Sequence, residues 1–373
     1  MLHMLPRVIH PSEMVIKKGS LIRLKFLKGK KAAILCGGDS FRQNGFLEKL
    51  EGYLKVSKLE TVLIDGIKGD PTEKSVEEVA AKLREANVDW VIGAGGGAVM
   101  DTAKVAWALY EYPEKNIADF KSPFSIPPLK QKAKLCLIPT TAGTGSEVSN
   151  SAVVTFEGKK IPLLSADFVP EIAILDPTLL VALPPKVTAF TAFDAFTHAV
   201  ESYCSTLNNG LTDAYATSGA NLLVENLEKA IEYPSDVAVR EKLLYGSMLA
   251  GVAQGITSVG GVHALSHAMA SRIDLTHGHA NAVFLVPMLK FNAEESPRVT
   301  EFLSKVGLSD LEGLEAWVSR GFQKSGLSRK WGEKSSDLNV AEAAEAALKD
   351  ICALTNPRKL TVEGLTLVLE TTR

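Results

Sequence analysis

The chain has 373 residues, of which 46% are hydrophobic and 23% are charged, and its formal net charge is −2. This length predicts two domains, and the composition is typical of a globular protein. Without a basic excess, the charge argues against nucleic acid and membrane surfaces as partners.

Cysteine spacing and hydropathy indicate the compartment. Cys36, Cys136, Cys204 and Cys352 are too far apart for a CxxC motif, so a disulfide framework is not expected. The sequence contains no run of about 18 apolar residues, so no membrane span is expected. The N-terminus lacks the apolar run of a signal peptide. The sequence therefore predicts a cytoplasmic protein.

The first half of the chain alternates short apolar runs with amphipathic stretches. The predicted strands are Lys31–Cys36, Glu60–Asp65, Asp89–Gly93 and Lys134–Pro139, and the predicted helices are Ser75–Asn87 and Asp101–Tyr110. Continuous apolar strands separated by helices favour a parallel sheet that is covered on both faces.

The character of the sequence changes at Leu183-Pro184-Pro185, which marks a predicted domain boundary. Ala- and Leu-rich stretches follow, without strand-like alternation, and they predict helices at Val187–Tyr203, Thr212–Tyr233, Arg240–Ala253 and Val340–Cys352. We therefore predict an α/β domain at residues 1–182 and an all-helical domain at residues 183–373.

Two turns of small residues follow predicted strands. Gly93 to Ala98 (GAGGGA) opens a helix, and Pro139 to Glu147 (PTTAGTGSE) follows the fourth strand. Glycines let a backbone approach a pyrophosphate, and a helix N-terminus supplies N–H donors. A tight strand–helix turn and a Ser/Thr-capped loop are the structural alternatives. Two such turns at strand ends of one parallel sheet favour a bound dinucleotide.

Five of the seven histidines lie between residues 198 and 279. The pairs in this region are Asp194 with His198, His263 with His267, and His277 with His279. The first two pairs have i, i+4 spacing, so each shares one helix face. A lone histidine is usually a core or capping residue, but several imidazoles with one carboxylate suit a divalent transition metal. Without cysteine ligands, an open catalytic metal is favoured over structural zinc.

These motifs, in this order, resemble the iron-containing (group III) alcohol dehydrogenase family. The resemblance lies in residues 95–101, 139–147, 193–203, 262–267 and 276–282, and it runs from about Lys30 to Asn292. It implies an N-terminal Rossmann-like domain and a C-terminal helical metal-binding domain, a dehydroquinate synthase-like fold. It also implies a homodimer that transfers a hydride between a small alcohol or aldehyde and NAD(P).

The resemblance implies the residues of the site. The metal ligands would be Asp194, His198, His263 and His277, with Fe(II) the expected ion and Zn(II) the alternative, and His267 would be catalytic or line the substrate pocket. The implied cofactor contacts are Gly95, Gly96, Gly97, Asp101, Thr140, Thr141, Thr144 and Lys160.

Two residues depart from the family pattern. Ala98 stands where the family usually has Ser, so one hydroxyl contact to the cofactor phosphate would be missing. Phe193 stands where it usually has Gly, directly before the first implied ligand. We expect this ring either to narrow the pocket or to alter helix packing.

Cofactor choice depends on the residue that follows the first predicted strand. In the family, an acidic side chain there accepts a hydrogen bond from the 2′-hydroxyl of the ribose and repels a 2′-phosphate. This chain has Gly37 and then Gly38, while Ser40 adds a hydroxyl group and Arg42 a positive charge. These residues favour NADP(H) over NAD(H). The carboxylate of Asp39, if it lay against the ribose, would favour NAD(H) instead.

Two alternatives share the fold, namely a glycerol or polyol dehydrogenase and a dehydroquinate synthase-like lyase. The His277-Gly278 pattern favours the alcohol dehydrogenase. A metal-dependent hydrolase and a non-catalytic metal- or nucleotide-binding protein belong to other classes. The two glycine turns argue against the hydrolase, because hydrolysis needs no dinucleotide.

Overall fold

The structure, a computed structural model, describes residues 7–332, 335 and 338–372, apart from the side chains of Asp39 and Ser40. The chain separates into two compact units. The first contains Met1–Thr141 and Ser146–Ala182, and the second contains Ala142–Gly145 and Leu183–Arg373.

The first unit alternates strands with helices. Its strands are β1 (Glu13–Ile16), β2 (Lys31–Cys36), β3 (Glu60–Ile64), β4 (Trp90–Gly95), β5 (Lys134–Pro139), β6 (Ser151–Phe156), β7 (Lys159–Leu164) and β8 (Ile172–Leu175). Its α-helices are α1 (Asp39–Gln43), α2 (Phe46–Val56), α3 (Glu73–Ala86) and α4 (Gly97–Glu111).

Six of these strands form the predicted parallel sheet, in the order β1-β8-β5-β4-β2-β3. Consecutive residues of β2, β4 and β5 are buried, which requires cover on both faces of the sheet. The predicted strand at 89–93 extends to Gly95, because the first residues of the glycine turn still pair with β5.

Four strands, β1, β6, β7 and β8, were not predicted from the sequence. β1 and β8 have only four residues each, too few for a clear period. β6 and β7 form an antiparallel hairpin whose two-residue loop is Glu157-Gly158. Both loop residues have positive φ, 49° and 75°, as a tight hairpin turn requires.

The second unit is helical in the part that the structure describes. Its α-helices are α5 (Pro185–Cys204), α6 (Gly210–Glu232), α7 (Val237–Thr257), α8 (Gly261–Met269), α9 (His277–Ala293), α10 (Arg298–Lys305), α11 (Leu311–Ser325), α12 (Val340–Leu348) and α13 (Val362–Glu370). Helix α5 packs against α6, α7 and α9 and is buried along most of its length, as its Ala- and Phe-rich sequence requires.

The predicted helix at 340–352 is wrong at its C-terminal end. Helix α12 stops at Leu348, and a 3₁₀ helix covers Ile351–Thr355. The Asp350 side chain accepts a hydrogen bond from the Cys352 N–H, so it caps this new element instead of continuing the old one.

Among the described residues, no single helix has both the length and the hydropathy needed to cross a membrane. The bent pair Val237–Thr257 and Gly261–Met269 meets this criterion together, by length and composition only.

Candidate metal centre and cofactor turns

Three of the four predicted metal ligands meet in the second unit. Asp194 Oδ1 lies 3.8 Å from His263 Nε2 and 3.8 Å from His277 Nε2. All three ligand atoms lie within 4.8 Å of one another. Because metal–ligand bonds of about 2.0–2.2 Å separate adjacent ligand atoms by roughly 3–4 Å, one divalent ion fits this arrangement.

Helix packing explains how the three ligands meet. Asp194 lies on α5, His263 in the first turn of α8, and His277 is the first residue of α9. A Cβ on Gly278 would lie 2.7 Å from the Phe190 carbonyl oxygen and 3.1 Å from Asp194 Cβ. The glycine after His277 is therefore needed for the close approach of α9 to α5.

An amide nitrogen marks the point that the three ligand atoms face. Asn281 Nδ2 lies 2.7 Å from Asp194 Oδ1, 3.1 Å from His263 Nε2 and 3.3 Å from His277 Nε2. Asn281 Oδ1 is buried without a hydrogen-bond partner among the described residues. Three acceptors around one donor form a site that favours positive charge, as a metal ion would supply.

His198 lies beside this group but is not part of it. Its ring stacks on the His263 ring at 4.7 Å between centroids, and it lies one turn after Asp194 on α5. Burial lowers the pKa of both histidines to about 4, although the Asp194 carboxylate opposes the shift. Both imidazoles are therefore neutral at pH 7, which is the form that binds metals.

Two carboxylates that the sequence analysis missed hold predicted site histidines. Glu201 Oε2 lies 2.6 Å from His263 Nδ1, and Asp350 Oδ2 lies 3.0 Å from His267 Nδ1. Glu201 had a sequence signal, since it follows His198 by three residues on the same helix face. Asp350 is 83 residues from His267, so no local pattern connects them.

His267 lies beside the three converging ligand residues but is not one of them. Its ring stacks on that of His277 at 5.2 Å and lies 6.2 Å from that of His263. Its Nδ1 is directed to Asp350, whose pKa stays low because, although burial raises it, the hydrogen bond from His267 lowers it. His279, which follows His277 by two residues, contacts the Ser328 carbonyl through Nε2 at 2.7 Å.

Phe193 packs between α5 and α11, and whether it alters helix packing relative to a glycine at this position stays a prediction. Its side chain is fully buried, and its ring lies 5.1 Å from that of Trp317 and 5.7 Å from that of Phe322, both on α11. A Cβ on Gly321 would lie only 2.5 Å from Phe193 Cζ. The ring therefore packs into space that Gly321 leaves open on α11.

The first glycine turn connects β4 to α4. Gly96 is the N-cap residue of α4 and, having no side chain, makes no side-chain capping hydrogen bond to the first N–H groups of the helix. A Cβ on Gly95 would lie 2.6 Å from Val99 Cβ, whereas a Cβ on Gly96 would meet Thr141 Oγ1 at an ordinary 3.4 Å. Gly95 is thus required by packing, while Gly96 leaves the helix N-terminus open to an anion.

The second turn lies beside the first, because β5 neighbours β4 in the sheet. The Thr140 N–H donates to the Gly95 carbonyl at 2.9 Å, which places Thr140 and Thr141 next to the glycines. Thr144 belongs to the second compact unit. Within the first unit, the residues that fit a dinucleotide phosphate are therefore those at the N-terminus of α4 and the adjacent Thr141, with its hydroxyl group.

Two predicted cofactor residues have protein partners. Asp101 accepts hydrogen bonds from Ser146 Oγ at 2.7 Å and from the Val153 N–H at 2.9 Å. Lys160 pairs with Asp70 at 2.7 Å. Asp101 therefore connects α4 to the second turn and to β6.

Gly37 and Gly38 follow β2, as predicted. A Cβ on Gly37 would make only ordinary contacts, whereas one on Gly38 would lie 3.2 Å from Lys68 Cε. Arg42 pairs with Asp65 at 2.6 Å. The predicted hydroxyl of Ser40 and the carboxylate of Asp39 lie outside the described side chains. The sequence analysis missed Lys68, which brings a second positive charge to this turn.

Comparison with known families covers nearly the whole chain. Residues 11–177 match the family model for iron-containing alcohol dehydrogenase, and residues 188–372 match that for the C-terminal part of the Fe-containing alcohol dehydrogenase family. These two matches correspond to the strand-containing and the helical parts of the chain.

Individual proteins show the same similarity. An NADPH-dependent butanol dehydrogenase from Clostridium saccharobutylicum is 35% identical over 374 residues, covering 96% of each chain. A 1,3-propanediol dehydrogenase from Klebsiella pneumoniae is 33% identical, covering 90% of each chain. The structure of an iron-containing alcohol dehydrogenase from Thermococcus thioreducens superposes with a TM-score of 0.89 at 29% identity, covering 98% of each chain.

These similarities confirm the predicted fold and the alcohol dehydrogenase activity. They do not favour the glycerol dehydrogenase or dehydroquinate synthase-like alternative. From residue 11 to residue 372 the sequence matches one family, and the chain belongs to the iron-containing alcohol dehydrogenases.

Proposed function

We propose that the chain oxidises small alcohols or reduces the matching aldehydes with NADP(H), at a metal held by Asp194, His198, His263 and His277. The observation that carries this proposal is the convergence of Asp194 Oδ1, His263 Nε2 and His277 Nε2 within 4.8 Å. His198, whose ring stacks on that of His263, is the proposed fourth ligand.

The chain's own residues divide the work of the reaction. A bound divalent metal would supply a Lewis acid for the alcohol oxygen, and a bound nicotinamide would supply the hydride acceptor. His277 has 24% of its side chain exposed, which leaves an approach to the site. His267 donates its Nδ1–H to Asp350, so its Nε2 is left as the base that receives the alcohol proton.

Metal content tests the ligand assignment. His263→Ala removes one of the three converging atoms, and we expect it to lose metal and activity while the helical content is retained. His279→Ala is the matched control, because its ring contacts the Ser328 carbonyl and lies outside the ligand group. Full metal occupancy with normal turnover in His263→Ala contradicts the assignment.

We expect Fe(II) as the ion, with Zn(II) as the alternative. One carboxylate with neutral imidazoles accepts several divalent ions, so the donor set alone is compatible with both. The family similarity supports iron. Metal analysis of protein purified without oxygen, paired with reconstitution by each ion, distinguishes them.

The glycine turn is the proposed binding place of the cofactor phosphates. Gly96→Ala is compatible with the fold, since its Cβ meets Thr141 Oγ1 at 3.4 Å, but the methyl group would stand before the start of α4. We expect dinucleotide affinity to fall about tenfold or more, with the melting temperature nearly unchanged. Gly52→Ala, in open space on α2, is the control.

The preference for NADP(H) is supported by three observations. Gly37 leaves room at the turn after β2, Lys68 passes beside Gly38, and the Clostridium saccharobutylicum relative is named NADPH-dependent. Lys68→Ala should lower kcat/KM for NADPH more than for NADH, and Gly37→Asp should shift preference towards NADH. A wild-type kcat/KM that favours NADH by about tenfold or more contradicts the proposal.

The proposed substrates are small, as the names of the butanol and propanediol relatives suggest. A panel of short alcohols and aldehydes, followed by nicotinamide absorbance, tests this. The four cysteines are free and buried, which supports the cytoplasm expected from the sequence. The homodimer stays a prediction, and light scattering on the purified protein tests it.

A further inference from the structure

We infer that Glu201 is a positioning residue that fixes His263 in the tautomer whose bare Nε2 faces the metal site. This inference rests on the proposed metal site. Glu201 Oε2 lies 2.6 Å from His263 Nδ1, and the two side chains are 3% and 4% exposed. A buried carboxylate at this distance accepts the Nδ1–H, so the proton stays on Nδ1.

The other side of the ring is consistent with this tautomer. His263 Nε2 lies 3.1 Å from Asn281 Nδ2, an amide nitrogen that can only donate. Nε2 is therefore placed to accept, which agrees with a proton on Nδ1. The two neighbours of the ring favour the same tautomer, whose bare Nε2 lies on the side of Asp194 and His277.

Glu201 is itself held firmly. Its Oε1 accepts the Val262 N–H at 2.6 Å, which anchors the carboxylate at the start of α8. A Cβ on Gly260 would lie 3.0 Å from this oxygen, so the glycine before α8 leaves room for the carboxylate. Helix α5 thus supplies Asp194, His198 and Glu201 at i, i+4 and i+7, which is one face.

A purely structural role is the competing explanation, because a carboxylate at the start of α8 also caps that helix. Glu201→Gln separates the two roles. The amide has one accepting oxygen, and the Val262 N–H occupies it. Its NH₂ group then faces His263 Nδ1, which becomes an acceptor and moves the ring proton to Nε2. That proton blocks metal binding, while the cap is kept.

Two measurements test the inference. ¹⁵N imidazole spectra of the metal-free protein, with the His263 signals assigned by His263→Asn, should show an Nδ1–H tautomer in the wild type and an Nε2–H tautomer in Glu201→Gln. Metal affinity by chelator competition should fall about 10–100-fold in Glu201→Gln. The control is Glu111→Gln, because Glu111 is also buried and accepts backbone N–H donors, in the other unit.

The outcomes separate this inference from the proposed metal site. If the wild type is Nε2–H at His263, or if Glu201→Gln binds metal within about twofold of wild type, Glu201 does not position the ligand. The wild-type spectrum decides even if Glu201→Gln fails to fold. If His263→Ala binds as much metal as the wild type, the proposed metal site itself is wrong, although the tautomer result still stands.

Discussion

The contact between Phe193 and Gly321 allows a quantitative test of the helix that carries the proposed ligands. Phe193 directly precedes Asp194 on α5, and its ring is fully buried against α11. A methyl group on Gly321 would lie 2.5 Å from Phe193 Cζ and 3.1 Å from Cε2. The two residues are therefore sterically complementary, and their substitutions should not be additive.

The expected free energies follow from this geometry. Phe193→Ala should lower the free energy of unfolding by about 4 kcal/mol, since it removes a fully buried ring. Gly321→Ala should cost about 2 kcal/mol in overpacking and regain about 1 kcal/mol in helix propensity, a net loss of about 1 kcal/mol. In the double variant the methyl group fits the space left by the ring, so only the propensity gain remains. The free energy of unfolding of the double variant should therefore fall by about 3 kcal/mol, whereas the losses of the two single variants add up to about 5 kcal/mol.

Chemical denaturation followed by tryptophan fluorescence measures this cycle, because Trp317 contacts the ring. Gly52→Ala on α2 is the control, as its Cβ meets nothing within 4 Å and should behave the same with or without Phe193. Additivity of the two substitutions within about 0.5 kcal/mol would refute the steric argument.

Three further predictions concern other buried groups. Burial raises the pKa of Glu147 to about 7. The folded protein therefore loses stability as pH rises from the pKa of Glu147 in the unfolded chain towards 7. Glu147→Gln should be more stable than wild type by about 3 kcal/mol at pH 8 but not at pH 4. An unchanged difference across this range contradicts it. Gly95→Ala should lower stability by about 1–3 kcal/mol, because its Cβ would lie 2.6 Å from Val99 Cβ, and an unchanged thermal unfolding midpoint would contradict this. His267→Ala should keep its metal yet lose turnover or its pH dependence, and loss of metal would make it a ligand.

The sequence predicts elements and ligands best where the signal is local. The strands at 31–36 and 134–139 are continuous apolar runs, and the structure has them with those bounds. Asp194 and His198 are one helical turn apart, so a single period places them together. The missed strands β1 and β8 are too short to show a period.

Interactions between distant segments left no such signal. His263 is 62 residues from Glu201, and His267 is 83 residues from Asp350. Nothing in the local pattern around Asp350 distinguishes it from a helix residue, and the helix prediction ran through it for that reason. The reach of the Glu201 side chain to the start of α8, and the packing of α8 against the 3₁₀ helix at Ile351–Thr355, create these pairs.

Helix geometry explains how α5 tolerates Phe193 beside a ligand. Successive residues on an α-helix point about 100° apart, so adjacent positions face different neighbours. Phe193 and Phe196 both contact Trp317 of α11, at 5.1 and 4.7 Å, whereas Asp194 faces α8 and α9. The face with i, i+4 and i+7 spacing carries the chemistry and the other carries the packing. A bulky residue at 193 therefore packs against the partner helix, where Gly321 accommodates it, and lies on a different face from the ligand atoms.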